Sequence, residues 1–201
     1  MSLLLIGATG KTGQYIQHFI EEKGLQAKRF VRLPEQVQPG SILGDIRNEE
    51  DVLQAMSGAE GVICALNTEG NGTLLIGIQH IIRSMQEYKI KRLVTIGTAG
   101  ILQSELQPHL LRYQSIENKR VNHEAAMEHE QAYHTLAESE LDWTIVCPTR
   151  LVQTEFTGEY RVQKNILPTG GSQISFADTA HFTVSAYLRE TFVRERVGIC
   201  Y

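Results

Sequence analysis

The chain has 201 residues, of which 42% are hydrophobic and 21% are charged, with a formal net charge of −4. This balance suits one α/β domain with a real core, and it excludes a general electrostatic attraction to nucleic acid or anionic membranes. No apolar run approaches the roughly 20 residues of a membrane-spanning helix, and we expect no signal peptide because the first strand begins at the second residue.

A short apolar run followed by three glycines opens the chain. Leu3 to Ile6 predicts a strand, Gly7, Gly10 and Gly13 come next, and an amphipathic helical pattern begins directly afterwards. A strand, a glycine turn and a helix start predict a dinucleotide-binding loop. Its glycines allow the tight turn, the approach of a pyrophosphate and close helix packing, in that order. The helix N-terminus offers N–H groups and a positive dipole end to the phosphates.

Two other interpretations of this stretch compete with a dinucleotide loop. An ordinary glycine-rich turn is disfavoured by the strand before it and the helix after it. Gly10, Lys11 and Thr12 resemble the end of a nucleoside-triphosphate P-loop, but that motif needs a glycine five positions before Gly10, where the chain has Leu5. We therefore reject the P-loop. The spacing is Gly-x-x-Gly-x-x-Gly rather than the standard Gly-x-Gly-x-x-Gly.

The end of the second predicted strand, over about residues 27–31, distinguishes NAD from NADP. In dinucleotide folds a carboxylate there accepts hydrogen bonds from the adenosine ribose and selects NAD, whereas a cation pairs with the 2′-phosphate and selects NADP. The chain has Arg32 there and no acid until Glu35. An arginine fork suits a phosphate dianion, so we expect NADP, with Lys11 able to reach the same phosphate. A solvated strand-end Arg32 is the alternative.

The following sequence alternates predicted strands and helices. Near-continuous apolar runs such as residues 61–66 indicate parallel strands that are buried on both faces. This alternation predicts a doubly wound parallel sheet, whose ligands bind beyond the C-terminal ends of the strands. Further strands are predicted over about 41–45, 61–66, 91–99, 141–148 and 196–200, with helices over about 49–57, 73–88, 116–139 and 179–189.

Several residues fall on the rim where this sheet would bind its ligand. Asp45 follows the third strand and can accept from an adenine amino group, although a plain turn aspartate is an equal alternative. Leu66 and Thr98 follow the next two strands. Residues 99–114 form a longer connection than most, and such connections are often lids or substrate walls.

Histidines and cysteines give no sign of a metal site. His129 and His134 are five residues apart on a predicted helix, so they lie on different faces, and a zinc-type His-Glu-x-x-His pattern fails at Tyr133. We interpret these histidines, with His123, as solvated or helix-packing. Near the C-terminus, Asp178 is predicted to cap the helix that follows it. The three cysteines are Cys64, Cys147 and Cys200, and an odd count without a Cys-x-x-Cys pair favours a reducing cytoplasm.

Five motifs occur in an order that resembles a known family. They are Gly-Ala-Thr-Gly-Lys-Thr-Gly, the arginine after the second strand, Gly-Asp at 44–45, Leu-Asp-Trp-Thr-Ile-Val-x-Pro-Thr at 141–149 and Ile-Ser-x-Ala-Asp at 174–178. The chain resembles the atypical short-chain dehydrogenase/reductase superfamily, in its NmrA-like, NAD(P)H-binding branch. Its pattern is most like the biliverdin reductase B (NADPH-dependent flavin reductase) group.

The resemblance implies one Rossmann-type domain over residues 1–201, with about 150–176 forming a small substrate-side lobe. It also implies NADP as cofactor and a small-molecule substrate. Thr98 would lie beside the nicotinamide, and Arg150 falls where the flavin-reductase group has a histidine. The cofactor-binding residues that it implies are Gly7, Thr9, Gly10, Lys11, Thr12, Gly13, Arg32, Asp45, Ile46, Ala65, Leu66, Thr98, Pro148 and Thr149.

One departure from the superfamily bears on the reaction. Classical members use a Tyr-x-x-x-Lys pair as a proton relay, and the only match, Tyr160 with Lys164, lies after the sixth strand, where no catalytic helix runs. We interpret it as a chance match. Thr98 and Arg150 are the predicted catalytic residues, and a surface salt bridge is the alternative for Arg150.

Three functions are compatible with this reading. The first is a cytoplasmic NADP(H)-dependent oxidoreductase whose acceptor is a planar flavin, quinone or tetrapyrrole, because hydride delivery from a positioned nicotinamide needs little more than orientation. The second is a non-catalytic NADP-binding sensor of the NmrA-like kind. The third, an isomerase or dehydratase, is disfavoured by the missing acid–base pair. No apolar face demands a partner, so no oligomeric state is predicted.

Overall fold

The structure is a computed structural model that describes residues 2–201. Strands and helices alternate through the first three quarters of the chain. The strands are β1 Ser2–Ile6, β2 Gln26–Val31, β3 Ser41–Leu43, β4 Gly61–Cys64, β5 Arg92–Ile96, β6 Asp142–Pro148, β7 Arg150–Val152, β8 Arg161–Lys164, β9 Gln173–Ser175 and β10 Glu195–Cys200. The helices are α1 Lys11–Glu22, α2 Glu49–Ala55, α3 Thr73–Glu87, α4 Glu124–Glu138 and α5 Phe176–Leu188.

The main sheet has eight strands in the order β3-β2-β1-β4-β5-β6-β10-β8. Every neighbouring pair is parallel except β10 with β8, which is antiparallel at the edge. The chain therefore runs outward from β1 to β3, returns, and continues on the other side through β4. This order confirms the predicted doubly wound, Rossmann-type α/β fold.

Alternation along the strands sends side chains into two apolar layers. In β1, Leu4 and Ile6 belong to the core beneath α2, α3 and α4, whereas Leu3 and Leu5 belong to the core beneath α1 and α5. Successive side chains of a strand point to opposite faces, so a strand that is covered on both faces must be apolar throughout. This requirement explains the continuous hydrophobic runs in the sequence.

The segment 150–176, predicted to be a small lobe, contributes to two sheets. β7 and β9 form a separate two-stranded parallel sheet, while β8 extends the edge of the main sheet. The division of the chain into one domain with such a lobe stays a prediction. Within residues 2–201, no helix has the length and apolar character needed to cross a membrane.

The helix predicted over about 116–139 begins eight residues later, at Glu124. Asparagine side chains take the backbone partners that a helix would otherwise use. The Asn118 amide donates to the carbonyl of Tyr113 and its oxygen accepts from the N–H of Arg120, while Asn122 accepts from the N–H of Glu124. Such local side-chain bonds compete with helix formation, which is why the prediction of the start was wrong.

The prediction that Asp178 caps the last helix was also wrong. Ser175 is the N-cap of α5, and its hydroxyl accepts from the N–H of Asp178 at 2.8 Å. Asp178 instead joins separate parts of the chain. Its carboxylate accepts from the N–H of Gly158 at 2.8 Å, from the Ser175 hydroxyl at 2.7 Å and from the Tyr201 hydroxyl at 2.6 Å.

Asp178→Asn tests this junction. Burial alone would raise the pKa of the Asp178 carboxyl, but hydrogen bonds, led by those of Tyr201 and Ser175, hold the pKa below its ordinary value. The charged form is therefore stabilised in the folded state, and its contribution is present above the unfolded pKa of about 4 and is lost as the pH falls through the folded pKa. We expect Asp178→Asn to lower the free energy of unfolding by about 1.5–3 kcal/mol at pH 7.

Urea unfolding at pH 7 and at pH 3 measures this effect, and the difference between the variant and the original chain should shrink at pH 3. Glu155→Gln, an exposed acid of the adjoining segment, is the control and should change stability by no more than about 0.5 kcal/mol. Equal stability of Asp178→Asn and the original chain at pH 7 would contradict a stabilising role of the carboxylate.

Candidate functional site

The first glycine of the loop after β1 is required by both conformation and space. Gly7 has a φ of +79°, and a Cβ placed on it would lie 2.5 Å from the carbonyl oxygen of Ala65. Other residues rarely adopt this φ, and the contact would repel any side chain. The turn therefore lies directly against the segment that follows β4.

The third and second glycines differ in what surrounds them. A Cβ on Gly13 would overlap the carbonyl oxygen of Gly7 and would lie 2.9 Å from Cα of Ala8, so the first turn of α1 packs tightly on the loop. A Cβ on Gly10 would meet only the carbonyl oxygen of Gly7, at 3.4 Å. Gly10 is thus the one of the three whose free side is not filled by protein, as the approach of a ligand requires.

The N-terminus of α1 differs from the N-termini of its neighbours. α2 is capped by Asn48 and α5 by Ser175. At α3, the carboxylate of Glu128 from α4 accepts from the N–H of Leu74 at 2.7 Å. By contrast, the N-cap of α1 is Gly10, which offers no side-chain cap, and the first turn of α1 has no acidic residue. The unpaired N–H groups and the helix dipole therefore favour an anion at this end.

A cleft of about 190 Å³ opens between the two halves of the sheet, where β1 separates β2 from β4. In doubly wound sheets the ligand crevice lies at this reversal of strand order. The cleft has an apolar floor and a polar rim, and it is lined by Ile6, Gly7, Thr9, Gly10, Phe30, Val31, Arg32, Leu33, Gln36, Gly44, Ile46, Ala65, Leu66, Asn67, Glu69 and Thr73.

Arg32 lies at the rim and pairs with an acid that was not expected from the sequence. Its Nη1 lies 3.0 Å from Oε2 of Glu69, and the two side chains are 53% and 47% exposed. Along the sequence, the nearest acid after Arg32 is Glu35. Glu69 lies 37 positions further along the chain, and the placement of β4 beside β1 brings it to Arg32.

Thr73 is a second cleft residue that sequence reasoning missed. Only 3% of it is exposed, and its side-chain oxygen has no hydrogen-bond partner although it lines the cleft. A buried hydroxyl without a partner is costly, and a polar ligand group would relieve that cost. The sequence signal was weak, because Thr73 simply begins α3. The other cleft residues that were missed are Ile6, Phe30, Val31, Leu33, Gln36, Gly44, Asn67 and Glu69.

Two residues predicted to contact the adenosine half do not line the cleft. The Asp45 carboxylate accepts from the N–H of Arg47 at 2.9 Å, which is the plain turn arrangement, and Asp45 does not line the cleft although Ile46 does. Lys11 does not line it either, because its ammonium lies over the ring of Phe176, 5.4 Å from the centroid. Lys11 therefore faces the start of α5 rather than the corner that holds Arg32.

The predicted nicotinamide-side residues lie beyond the cleft, near the ends of β5 and β6. The Thr98 hydroxyl oxygen accepts from the N–H of Gly100 at 3.3 Å. Pro148 is buried at the end of β6, and the adjoining Thr149 hydroxyl is buried without a partner. Arg150 is exposed and donates to Oε1 of Gln173 at 2.9 Å, so its neighbour is an amide rather than an acid.

Of the predicted loop residues, neither Thr12 nor Gly13 lines the cleft.

The Tyr160 and Lys164 match is not a catalytic pair. Tyr160 precedes the extended strand β8 and Lys164 is its last residue. The Tyr160 hydroxyl lies 2.9 Å from Nδ1 of His181, and Lys164 pairs with Glu195. Burial raises the pKa of Tyr160 to about 12. A phenol with that pKa and no ammonium beside it does not act as a ready proton donor.

Two buried thiols and one histidine are held in their neutral forms. Burial raises the pKa of the Cys64 thiol to about 11 and that of Cys147 to about 12, and it lowers the pKa of His129 to about 4. A neutral thiol is a poor nucleophile and a poor metal ligand. Among residues 2–201, no three His, Cys, Asp or Glu side chains are grouped so that they could hold a metal ion.

Comparison with known families agrees with this geometry. A family described as NAD(P)H-binding matches residues 7–190, from the first glycine of the loop to two residues beyond α5. The chain belongs to the NAD(P)H-binding family. The expected membership of an NAD(P)H-binding branch is therefore confirmed.

Solved structures share the whole fold at low sequence identity. A candidate exported protein from Burkholderia pseudomallei is 25% identical with a TM-score of 0.88, and the match covers 100% of both chains. A candidate NADH-flavin reductase from Streptococcus pneumoniae is 24% identical with a TM-score of 0.85, covering 100% of this chain and 99% of that one. A short-chain dehydrogenase/reductase from Veillonella parvula in complex with NADP is 20% identical with a TM-score of 0.76, covering 100% and 94%.

Alanine substitutions at Gly13 and Gly10 distinguish a glycine that is needed for packing from one that is needed for ligand binding. We expect Gly13→Ala to lower the free energy of unfolding by about 2–4 kcal/mol, because its Cβ meets rigid backbone. Gly10→Ala should cost no more than about 1 kcal/mol, since protein atoms leave its Cβ room. Gly10→Ala should nevertheless weaken dinucleotide binding at least tenfold. Urea unfolding and calorimetric titration with NADPH measure both, and equal stability losses would contradict the assignment.

Proposed function

We propose that this protein is an NADP(H)-dependent reductase that delivers hydride to a planar aromatic acceptor such as a flavin, a quinone or a tetrapyrrole. The observation that supports a preference for NADP is the position of Arg32, which directly follows β2 and lies on the rim of the cleft. A cation at that point of the fold is suited to a 2′-phosphate. Family membership supports the nucleotide, and the acceptor and the preference for NADP are our proposal.

The residues of the site fit such a cofactor. The uncapped N-terminus of α1 and the open side of Gly10 would take the pyrophosphate. The apolar floor, including Ile46 and Leu66, would pack against the adenine. The unpartnered hydroxyl of Thr73 would find its missing hydrogen-bond partner on the adenosine half. When bound, the reduced nicotinamide supplies the hydride.

On the nicotinamide side, the residues of the chain would act by orienting the cofactor and the acceptor. Pro148 and Thr149 would border the carboxamide, and the partnerless Thr149 hydroxyl supports this role. Thr98 would stand beside the ring. Arg150, whose only described partner is the neutral Gln173, would offset charge on the reduced acceptor. We assign Thr98 and Arg150 as the catalytic residues on this basis.

The choice of acceptor follows from the missing proton relay. No Tyr/Lys pair is present among the described residues in a position to protonate an alkoxide. Reduction of a carbonyl to an alcohol needs such a group, whereas a flavin or quinone accepts hydride into a conjugated ring. The segments 99–114 and 150–176 would wall the acceptor site.

A non-catalytic NADP-binding sensor is the second candidate, and the same missing relay favours it. Absorbance at the nicotinamide band separates the two. Purified protein is mixed with NADPH and, in turn, FMN, FAD, a quinone and biliverdin. Turnover with any acceptor supports the reductase, tight binding without turnover supports the sensor, and failure to bind either NADPH or NADH would contradict both.

Arg32→Gln tests the assigned phosphate contact. Loss of one charged hydrogen-bonding partner should weaken NADPH binding about 10- to 100-fold, whereas NADH binding should change less than about threefold. Arg29→Gln is the matched control, because Arg29 lies three residues earlier, in β2, but bonds to Gln38 and does not line the cleft. Calorimetric titration gives both affinities, and equal losses for the two nucleotides would reject the role of Arg32.

A cytoplasmic location stays a prediction. Its support is that Cys64, Cys147 and Cys200 are all free and buried, as in a protein that does not depend on disulfides.

A further inference from the structure

The Arg32–Glu69 pair lies where two anions would compete for one cation. Both side chains line the cleft, and Nη1 of Arg32 is 3.0 Å from Oε2 of Glu69. A 2′-phosphate bound at Arg32 would have to share the guanidinium with this carboxylate or displace it. The acid is part of the site's rim and not a remote surface charge.

We propose that Glu69 is the residue that sets the preference between NADPH and NADH, by acting as an exchangeable counter-ion of Arg32. The inference rests on the proposed binding of NADP. When NADPH binds, the Arg32–Glu69 ion pair breaks and Arg32 pairs with the 2′-phosphate instead. With NADH, the pair stays closed and Glu69 presents its carboxylate to the adenosine ribose, as acids at this corner do in NAD-binding folds. The site thus offers the Arg32 cation to NADPH and the Glu69 carboxylate to NADH.

Electrostatics favours such an exchange. The phosphate brings up to two negative charges to Arg32, and a carboxylate kept beside it would repel the phosphate at close range. The existing pair is held only weakly, because both side chains are about half exposed and such pairs contribute little to stability. A phosphate therefore replaces Glu69 readily, but at a cost in affinity that a neutral residue at position 69 would remove.

The backbone beside Glu69 leaves room for its side chain to move away from Arg32. Gly70 has a φ of +77° and Gly72 a φ of +69°, and no atom lies within 4 Å of a Cβ placed on Gly70. Beyond Glu69 the segment is held at Asn71, whose carbonyl accepts from Arg47 at 3.4 Å. Glu69 thus lies next to an unpacked glycine, and its side chain can leave Arg32 without disturbing α3.

Glu69→Gln tests the proposal, because it removes the charge and keeps the size of the side chain. Calorimetric titration at low salt measures the dissociation constants of NADPH and NADH for the original chain and the variant. We expect NADPH to bind about three- to tenfold more tightly and NADH to bind no more tightly than before, so that the ratio of the two constants moves toward NADPH. Glu35→Gln is the matched control, since Glu35 is an exposed acid three residues from Arg32 that does not line the cleft.

The outcomes separate this proposal from the proposed reduction. A ratio that changes less than twofold in Glu69→Gln, or equally in Glu35→Gln, would overturn the role of Glu69 while NADPH turnover still supports the reductase. A shifted ratio without turnover of any acceptor would support Glu69 and reject the reductase. If the original chain binds neither nucleotide, both proposals fail.

Discussion

Close backbone packing between the glycine loop and its surroundings is the constraint on which the site depends. A Cβ on Gly7 would meet the carbonyl of Ala65, and a Cβ on Gly13 would meet the carbonyl of Gly7. These contacts fix α1 on β1 and set the loop beside the end of β4. The N-terminus of α1 therefore reaches the ligand crevice as a fixed element, and only Gly10 keeps a free side for a ligand.

Sheet order then brings the charged and polar groups together around that loop. β2 delivers Arg32 on one side of β1, and the segment after β4 delivers Glu69 and Thr73 on the other. Because the floor of the crevice is apolar, only a few polar groups, such as these three, face a bound ligand. In the proposed function, this arrangement gives a chain with a net charge of −4 a local site for phosphates. The cation at the rim and the helix dipole at the loop act only at short range.

The sequence predicted those parts of the structure that depend on neighbours along the chain. The glycine spacing, the apolar strands and the position of Arg32 are local signals, and the fold that they predicted is confirmed. Glu69 and Thr73 became visible only through the sheet order, because no short-range pattern ties residue 69 to residue 32. The start of α4 and the cap of α5 were mispredicted for a different reason, since local side-chain hydrogen bonds decided them.

A crystal structure of the protein with NADPH tests directly whether the cofactor lies in this cleft. We expect the pyrophosphate on the N–H groups at the start of α1, the adenine in the apolar cleft and the 2′-phosphate within hydrogen-bond distance of Arg32, with Glu69 turned away. A dinucleotide bound outside the cleft, or a 2′-phosphate that does not touch Arg32, would contradict the account.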